Sequence, residues 1–242
     1  MAKFFVSNSS IKDNKVFIDG ENANHIINVL RLKIEDEIEI SSGDGFDYIC
    51  KIEEISKDNL VAKIIDCFGN ESEPNIKITL YQALPKADKM ELIIQKCIEL
   101  GIDEIVPVNT DRAIVKLAGK EDKKIARWNK IAESAAKQSR RGKIPKVTNV
   151  INFNEAIEKS KDNHLNIIPY EKEKNNTIKN VCKNFEDTKI GVFIGPEGGF
   201  SEKEIELAIK NNILPITLGK RILRTETAGF ITTAILLYEL DS

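Results

Sequence analysis

The sequence predicts an α/β fold: a mainly parallel sheet with covering helices, preceded by a small, closed β-domain. Three observations carry this. From Asn75 onward strand patterns alternate with helical ones, the mark of a parallel sheet. Residues 1 to about 70 read instead as short strands around one short helix. Between them, 69–74 (Gly-Asn-Glu-Ser-Glu-Pro) is polar and turn-rich and reads as a linker, so the expected domains are 1–72 and 73–242. At 242 residues and 41% apolar content the chain can fill one large core and a small one.

The amino-terminal strands are expected at 4–7, 16–18, 37–41, 48–55 and 60–65, with Gly43-Asp44-Gly45 turning one hairpin. In 21–30, Ala23, Ile26, Ile27 and Leu30 recur at helical spacing. In the second part Ile76, Ile78 and Leu80 alternate as in a strand. Met90, Ile93, Ile94 and Cys97 then share one helical face that stops at Gly101, a residue free to take the left-handed cap. A strand at 104–108, a helix at about 123–139 and strands at 165–168, 190–194 and 214–218 continue the alternation. The last helix, about 226–240, is apolar nearly all round, so its own sheet or a second subunit must bury it on several sides.

Composition excludes several classes of function. No run approaches the roughly 18 apolar residues of a membrane span, and the start, Met-Ala-Lys-Phe-Phe-Val-Ser, lacks a signal peptide's apolar stretch, so a cytoplasmic protein is expected. Cys50, Cys67, Cys97 and Cys182 are far apart, and only His25 and His164 could join them as ligands. Small buried hydrophobes are expected there, with no metal site. The net charge of -2 hides an asymmetry: residues 111–150 carry twelve Lys or Arg against four acids. Such a run reads either as a solvated helix face or as a grip on nucleic-acid phosphates, and 137–146 contains no acid at all.

Two strand-to-helix loops carry the sharpest signal. Residues 190–204 run from a buried strand through Gly195-Pro196-Glu197-Gly198-Gly199 into a helix whose start is marked by the capping-box spacing of Ser201 and Glu204. Glycines there let the backbone approach a ligand closely. The loop matches neither dinucleotide nor P-loop fingerprint, and Glu197 argues against a polyphosphate. The second loop, 218–228 (Leu-Gly-Lys-Arg-Ile-Leu-Arg-Thr-Glu-Thr-Ala), is crowded with polar groups that must find partners beside a buried helix. Both sit at carboxyl ends of strands, where open α/β sheets bind ligands.

These segments resemble the two carboxyl-terminal signature loops of the RsmE-type rRNA methyltransferases, G-P-E-G-G-[FW]-[ST] and L-G-x-R-[IV]-L-R-x-E-T-A. His25 with Val29-Leu30-Arg31, the segment 95–101, and the segment 135–141 are also similar to family segments, so the likeness covers essentially the whole chain. The resemblance implies a PUA-like β-barrel at the amino end and a SPOUT domain with a carboxyl-terminal trefoil knot; nothing in the spacing itself indicates a knot, a rare topology.

It further implies transfer of a methyl group from S-adenosylmethionine to N3 of a uridine in 16S rRNA of the small ribosomal subunit, by a homodimer. The donor is expected among Pro169, Tyr170, Gly195, Pro196, Glu197, Gly198, Leu218, Gly219, Ile222, Leu223 and Thr225, with Leu218, Ile222 and Leu223 forming an apolar slot. Arg224 is the expected catalytic group, steadying the uracil anion. Glu226 either orients it, accepts the proton, or merely favours the helix dipole. Arg31, Arg112, Arg140 and Arg141 are the expected phosphate contacts. Three other readings stand beside this one: a SPOUT enzyme acting on tRNA or large-subunit rRNA, a non-catalytic rRNA-binding assembly factor, and a dehydrogenase lacking its usual fingerprint.

Overall fold

The computed structural model describes residues 1–43, 45–115, 119 and 121–241. Asp44 of the expected hairpin turn, and Lys116 and Lys120 of the basic segment, lie outside the described residues. By contacts the chain divides into two compact units, Met1–Glu73 with Ala136–Ile144, and Pro74–Ala135 with Pro145–Ser242. Residues 136–144 therefore group with the amino-terminal unit, although the sequence places them beyond the linker.

The first unit contains β1 (Lys3–Phe5), β2 (Ile11–Lys12), β3 (Lys15–Asp19), α1 (Gly20–Asn24), β4 (Glu37–Ser41), β5 (Phe46–Ile55) and β6 (Asn59–Gly69). Its six strands form one sheet in the order β1-β4-β5-β6-β3-β2, antiparallel except for the β1–β4 pair. Alternate residues, among them Phe4, Val16, Ile18, Ile38, Ile40, Cys50, Ile52, Leu60 and Ala62, meet in a single core, so the sheet must curl around them. α1 runs on into a π-helical turn, His25–Val29, that buries Ile26. Cys50, Cys97 and Cys182 are buried, but Cys67 is exposed: it lies in the last part of β6, after the register shift between Ile49 and Cys50, where residues 65–69 leave the core.

The division between the units falls at Glu73 and Pro74, inside the expected linker 69–74, whose residues are nonetheless held in place. Asn70, Ser72 and Glu73 are firmly engaged: the Asn70 side-chain amide donates to Asp47 at 2.5 Å, the Ser72 hydroxyl donates to the Arg140 carbonyl at 2.9 Å, and Glu73 accepts from Gly142 N–H at 2.9 Å. Lys3, almost fully buried, is held by Asp47 at 2.7 Å and Glu39 at 3.3 Å.

The second unit contains β7 (Lys77–Ala83), α2 (Lys89–Leu100), β8 (Glu104–Asn109), most of α3 (Glu121–Gln138), β9 (Lys146–Val147), β10 (Ile151–Asn152), α4 (Phe153–Ser160), β11 (Leu165–Pro169), α5 (Ile178–Cys182), β12 (Lys189–Ile194), α6 (Glu202–Lys210), β13 (Ile213–Ile216) and α7 (Thr225–Leu240). Every pair in its sheet is parallel, in the order β10-β8-β7-β12-β11-β13, with β9 also on β8. β7, β8 and β12 are buried on both faces, as a parallel sheet flanked by helices requires. Aromatic packing fixes the centre, where Tyr81 stacks on Phe193 at 4.4 Å and Phe153 bridges Phe193 and Phe200. Gly101 ends α2 at φ 117°, as its place in the sequence predicts.

After β13 at the sheet edge the chain returns to the middle, where α7 packs on α2, α5, β7 and β12. One side of α7 is buried through Thr225, Gly229, Thr232, Thr233 and Leu236, while Ile231, Ile235 and Tyr238 are exposed. Own-sheet burial thus accounts for only part of its apolar surface. No helix is long and apolar enough to cross a membrane among the described residues.

Candidate active site

Because β12, β11 and β13 are adjacent and parallel, the loops at their carboxyl ends emerge side by side at one edge of the sheet. They enclose a cleft of about 460 Å³ lined by residues 169–171, 194–200, 217–225 and Ala228. Its size lies within the range of small-molecule and cofactor sites. Pro169, Tyr170, Gly195, Pro196, Glu197, Gly198, Leu218, Gly219, Ile222, Leu223, Arg224 and Thr225 all line this one cleft. Glu171, Ile194, Gly199, Phe200, Thr217, Lys220, Arg221 and Ala228 complete the wall. Of these Glu171 lies just past the expected Pro169 and Tyr170, and no residue pattern around it singles it out.

Hydrogen bonds join the two late loops. The Thr225 hydroxyl donates to the Gly195 carbonyl at 2.6 Å and accepts from the side-chain amide of Gln82, a fully buried residue of β7, at 3.0 Å. A Cβ at Gly195 would come within 3.2 Å of the Phe200 ring, tighter than ordinary packing, and Gly199 adopts φ 67°, which favours glycine. The segment after β11 is steadied in turn by Glu173, whose carboxylate accepts from the backbone N–H groups of Asn175, Asn176 and Lys174 and is held below the usual range by them.

The glycine loop is gripped from two further directions. The Arg112 guanidinium, on the segment after β8, donates to the Gly198 carbonyl at 2.9 Å. Next to it, Ser201 donates to Asp111 at 2.7 Å, and Glu204 accepts from the Asp111 N–H at 2.9 Å and the Ser201 N–H at 2.7 Å, completing the predicted capping box. On the other side Glu197 accepts from Lys89 Nζ at 3.0 Å and from the Lys86 N–H at 3.2 Å. Burial pushes the Glu197 carboxyl up, but its own backbone N–H, Lys89 and Lys86 outweigh that and hold it below the usual carboxylate range.

Glu226, in the first turn of α7, does not face Arg224. Its carboxylate lies 3.3 Å from Lys89 Nζ, and among the described residues no hydrogen bond or ion pair joins it to Arg224. Arg224 stands exposed at the N-cap position of α7. Ile222, expected in an apolar slot, lines the cleft with its side chain 89% exposed, whereas Leu218 and Leu223 are half-buried.

The four expected phosphate contacts separate. Arg112 is exposed, and one of its N–H groups is engaged by Gly198. Arg31 and Arg140 are exposed on the amino-terminal unit, both in left-handed backbone, at φ 57° and 58°. Arg141 is a correction: it is 2% exposed, and its guanidinium donates to both carboxylate oxygens of Glu73, at 3.1 and 2.6 Å. A buried charge so paired is a strut, not a phosphate ligand. Arg127 of the same basic segment is likewise paired, with Glu91 at 2.7 Å.

The model of the RNA methyltransferase domain matches residues 71–237, and that of the RNA methyltransferase PUA domain matches 18–65. The ribosomal RNA small subunit methyltransferase E of Bacillus subtilis is 33% identical, with 100% of this chain and 98% of that protein covered. The chain belongs to the ribosomal RNA small subunit methyltransferase E family. The Mesomycoplasma hyopneumoniae member is 36% identical over 95% of this chain and 96% of its own length. The crystal structure of the Neisseria gonorrhoeae member, bound to S-adenosylmethionine, superposes with a TM-score of 0.86 at 29% identity, covering 98% and 97% of the two chains. Membership in the methyltransferase E family thus joins a PUA module to a parallel α/β methyltransferase domain of SPOUT type.

Proposed function

We propose that this chain is an S-adenosylmethionine-dependent methyltransferase acting on N3 of a uridine in 16S rRNA of the small ribosomal subunit. The observation that carries the reading is the single cleft in which both signature loops, 195–199 and 218–225, converge. The donor suits that cleft: backbone groups of Gly195, Gly198 and Gly199 are bare of side chains, Phe200, Leu218 and Leu223 offer apolar surface, and Glu171 and Glu197 lie on the wall beside a cationic ligand. When bound, S-adenosylmethionine supplies a methyl group on a positively charged sulfur.

The remaining work falls to this chain's own residues. Methylation forms an N3–CH3 bond as the S–CH3 bond breaks, and the N3 proton leaves to solvent or to a protein carboxylate. N3 lies on the pairing edge of the base, so the uridine must be held unpaired, with the nitrogen about 3 Å from the methyl carbon and in line. Arg224, exposed at the cleft rim, is placed to donate hydrogen bonds to a uracil carbonyl and so to stabilise the anion left by deprotonation. Glu226 remains the carboxylate nearest in sequence to it, and acts by holding the start of α7 through Lys89.

Arg31 and Arg140 on the amino-terminal unit and Arg112 on the other bind rRNA phosphates in this reading, with 1–72 as the RNA-binding module and 73–242 as the methyltransferase domain. The return of the chain from β13 at the sheet edge to α7 at its centre supports the trefoil threading that the family likeness implies. The exposed Ile231, Ile235 and Tyr238, spaced at one turn or two along α7, support a homodimer packed on this helix. A 16S rRNA substrate supports a cytoplasmic location.

Mapping N3-methyluridine by mass spectrometry in 16S rRNA from cells with and without the gene tests the activity. The modification is expected to disappear in the deletion and return on complementation. Its persistence in the deletion, or loss of a methylated base from tRNA or large-subunit rRNA instead, contradicts the assignment.

A further inference from the structure

Lys89 draws no attention in the sequence, where it is one of two lysines flanking Asp88 at the start of an amphipathic helix. In the folded unit its ammonium sits between two carboxylates from different elements, Glu197 of the glycine loop at 3.0 Å and Glu226 of α7 at 3.3 Å. All three side chains are largely shielded, with 29%, 27% and 12% of their surfaces exposed. The segment before Lys89 is shaped for this contact. Ala87 takes φ 54°, an unusual conformation for a residue with a Cβ, and the turn presents the Lys86 N–H to the same Glu197 carboxylate.

Resting on the reading of the cleft as the S-adenosylmethionine site, we propose that Lys89 is a positioning residue for methyl transfer, locking the glycine loop to the start of α7. Two consequences make this more than a surface ion pair. Glu197 lies on the cleft wall, and Glu226 follows directly on Arg224 and Thr225, so one cation sets the distance between the cofactor loop and the segment that carries the reacting-base contact. Without it two carboxylates face each other across the gap, and their repulsion drives these walls apart. The Thr225–Gly195 hydrogen bond ties the same two segments, so Lys89 acts as a second and independent fastening.

The test uses the full chain as Lys89→Met, Lys89→Arg and the double variant Lys89→Met/Glu226→Gln, with S-adenosylmethionine titrated calorimetrically and turnover measured on small-subunit rRNA. Lys89→Met is expected to lower kcat by about 100-fold, the size of effect that a misplacement of about 1 Å produces, and to weaken donor binding. The KM for RNA stays unchanged. Lys89→Arg keeps the bridge and restores most of the loss, and the double variant recovers part of it by removing one of the facing charges. A Lys89→Met enzyme with wild-type kcat and donor affinity overturns the proposal, as does a loss confined to the KM for RNA, which makes Lys89 a phosphate contact. Should Lys89→Met fail to fold, Glu226→Gln reads the same bridge from its other end, with wild-type turnover as the contrary result. If the wild-type chain itself binds no S-adenosylmethionine, the reading of the cleft fails, and that outcome is distinct from failure of the Lys89 role.

Discussion

The Thr225 hydroxyl donates to the Gly195 carbonyl at 2.6 Å, so a residue at the start of the last helix closes the loop that ends β12. The same hydroxyl accepts from Gln82, buried at 0% exposure, so three segments meet at one oxygen atom. Thr225→Val keeps the shape and removes both bonds, leaving the buried Gln82 amide with the Ala83 carbonyl alone as acceptor and the Gly195 carbonyl without the hydroxyl. The expected cost is about 1–3 kcal/mol in stability, together with weaker S-adenosylmethionine binding. Thermal melts and calorimetric titration measure the two effects, and unchanged donor affinity in a folded Thr225→Val protein would separate this link from the cofactor site.

The Glu73–Arg141 pair predicts a different pattern. Arg141 is buried, so Glu73→Gln strands a guanidinium, with an expected loss of about 3 kcal/mol. Replacing both partners with Leu and Met should cost less than Glu73→Gln alone, because no unpaired charge remains. Chemical denaturation of Glu73→Leu, Arg141→Met, their double variant and Glu73→Gln decides the matter, and simple additivity of the two single losses would contradict the buried-strut reading.

That pair also has a pH signature. Burial pushes the Glu73 carboxyl up, but the hydrogen bond and charge of Arg141, with Lys143 and the Gly142 N–H, outweigh it and hold the group below its ordinary value of 4.5. A carboxyl lowered by folding contributes stability that is complete above the ordinary value and is lost as pH falls through the lowered one. Acid unfolding should therefore steepen below about pH 4.5 in the wild type and flatten there in Glu73→Gln.

Arg112 is expected to report on both ligands. Its side chain donates to Gly198 while the rest of the guanidinium faces solvent, so Arg112→Ala should weaken S-adenosylmethionine binding about fivefold, the worth of one hydrogen bond. In the same variant the salt dependence of RNA binding should fall by about one charge. Loss of RNA affinity alone would make Arg112 a phosphate contact with no bearing on the glycine loop.

Much of this architecture is legible in the sequence because its signals are local. Gly195, Gly198 and Gly199 between a buried strand and the Ser201–Glu204 capping box can hardly be anything but a tight strand-to-helix loop, and the Gly101 stop ends α2 where expected. What escapes is set by distant partners. Lys89 meets Glu197 across 108 residues, and nothing near it in sequence marks the meeting. Arg141 looks like one more solvated cation in a basic run, and Glu73 like part of a polar linker. Only folding brings them together, across 68 residues, and buries the guanidinium against the half-buried carboxylate. The exposure of Cys67 follows from the β5–β6 register shift, a backbone event that residue patterns do not encode.

The central claim is that loops 195–199 and 218–225 hold the methyl donor between them, and a crystal structure of the chain grown with S-adenosylmethionine tests it most directly. One donor molecule per chain is expected in the cleft between Gly195 and Leu223, its methyl group directed toward the side that Arg224 occupies. Donor bound elsewhere, for instance in the smaller hollow beside Lys77 and Asn163, or a cleft still empty at saturating donor, would contradict it.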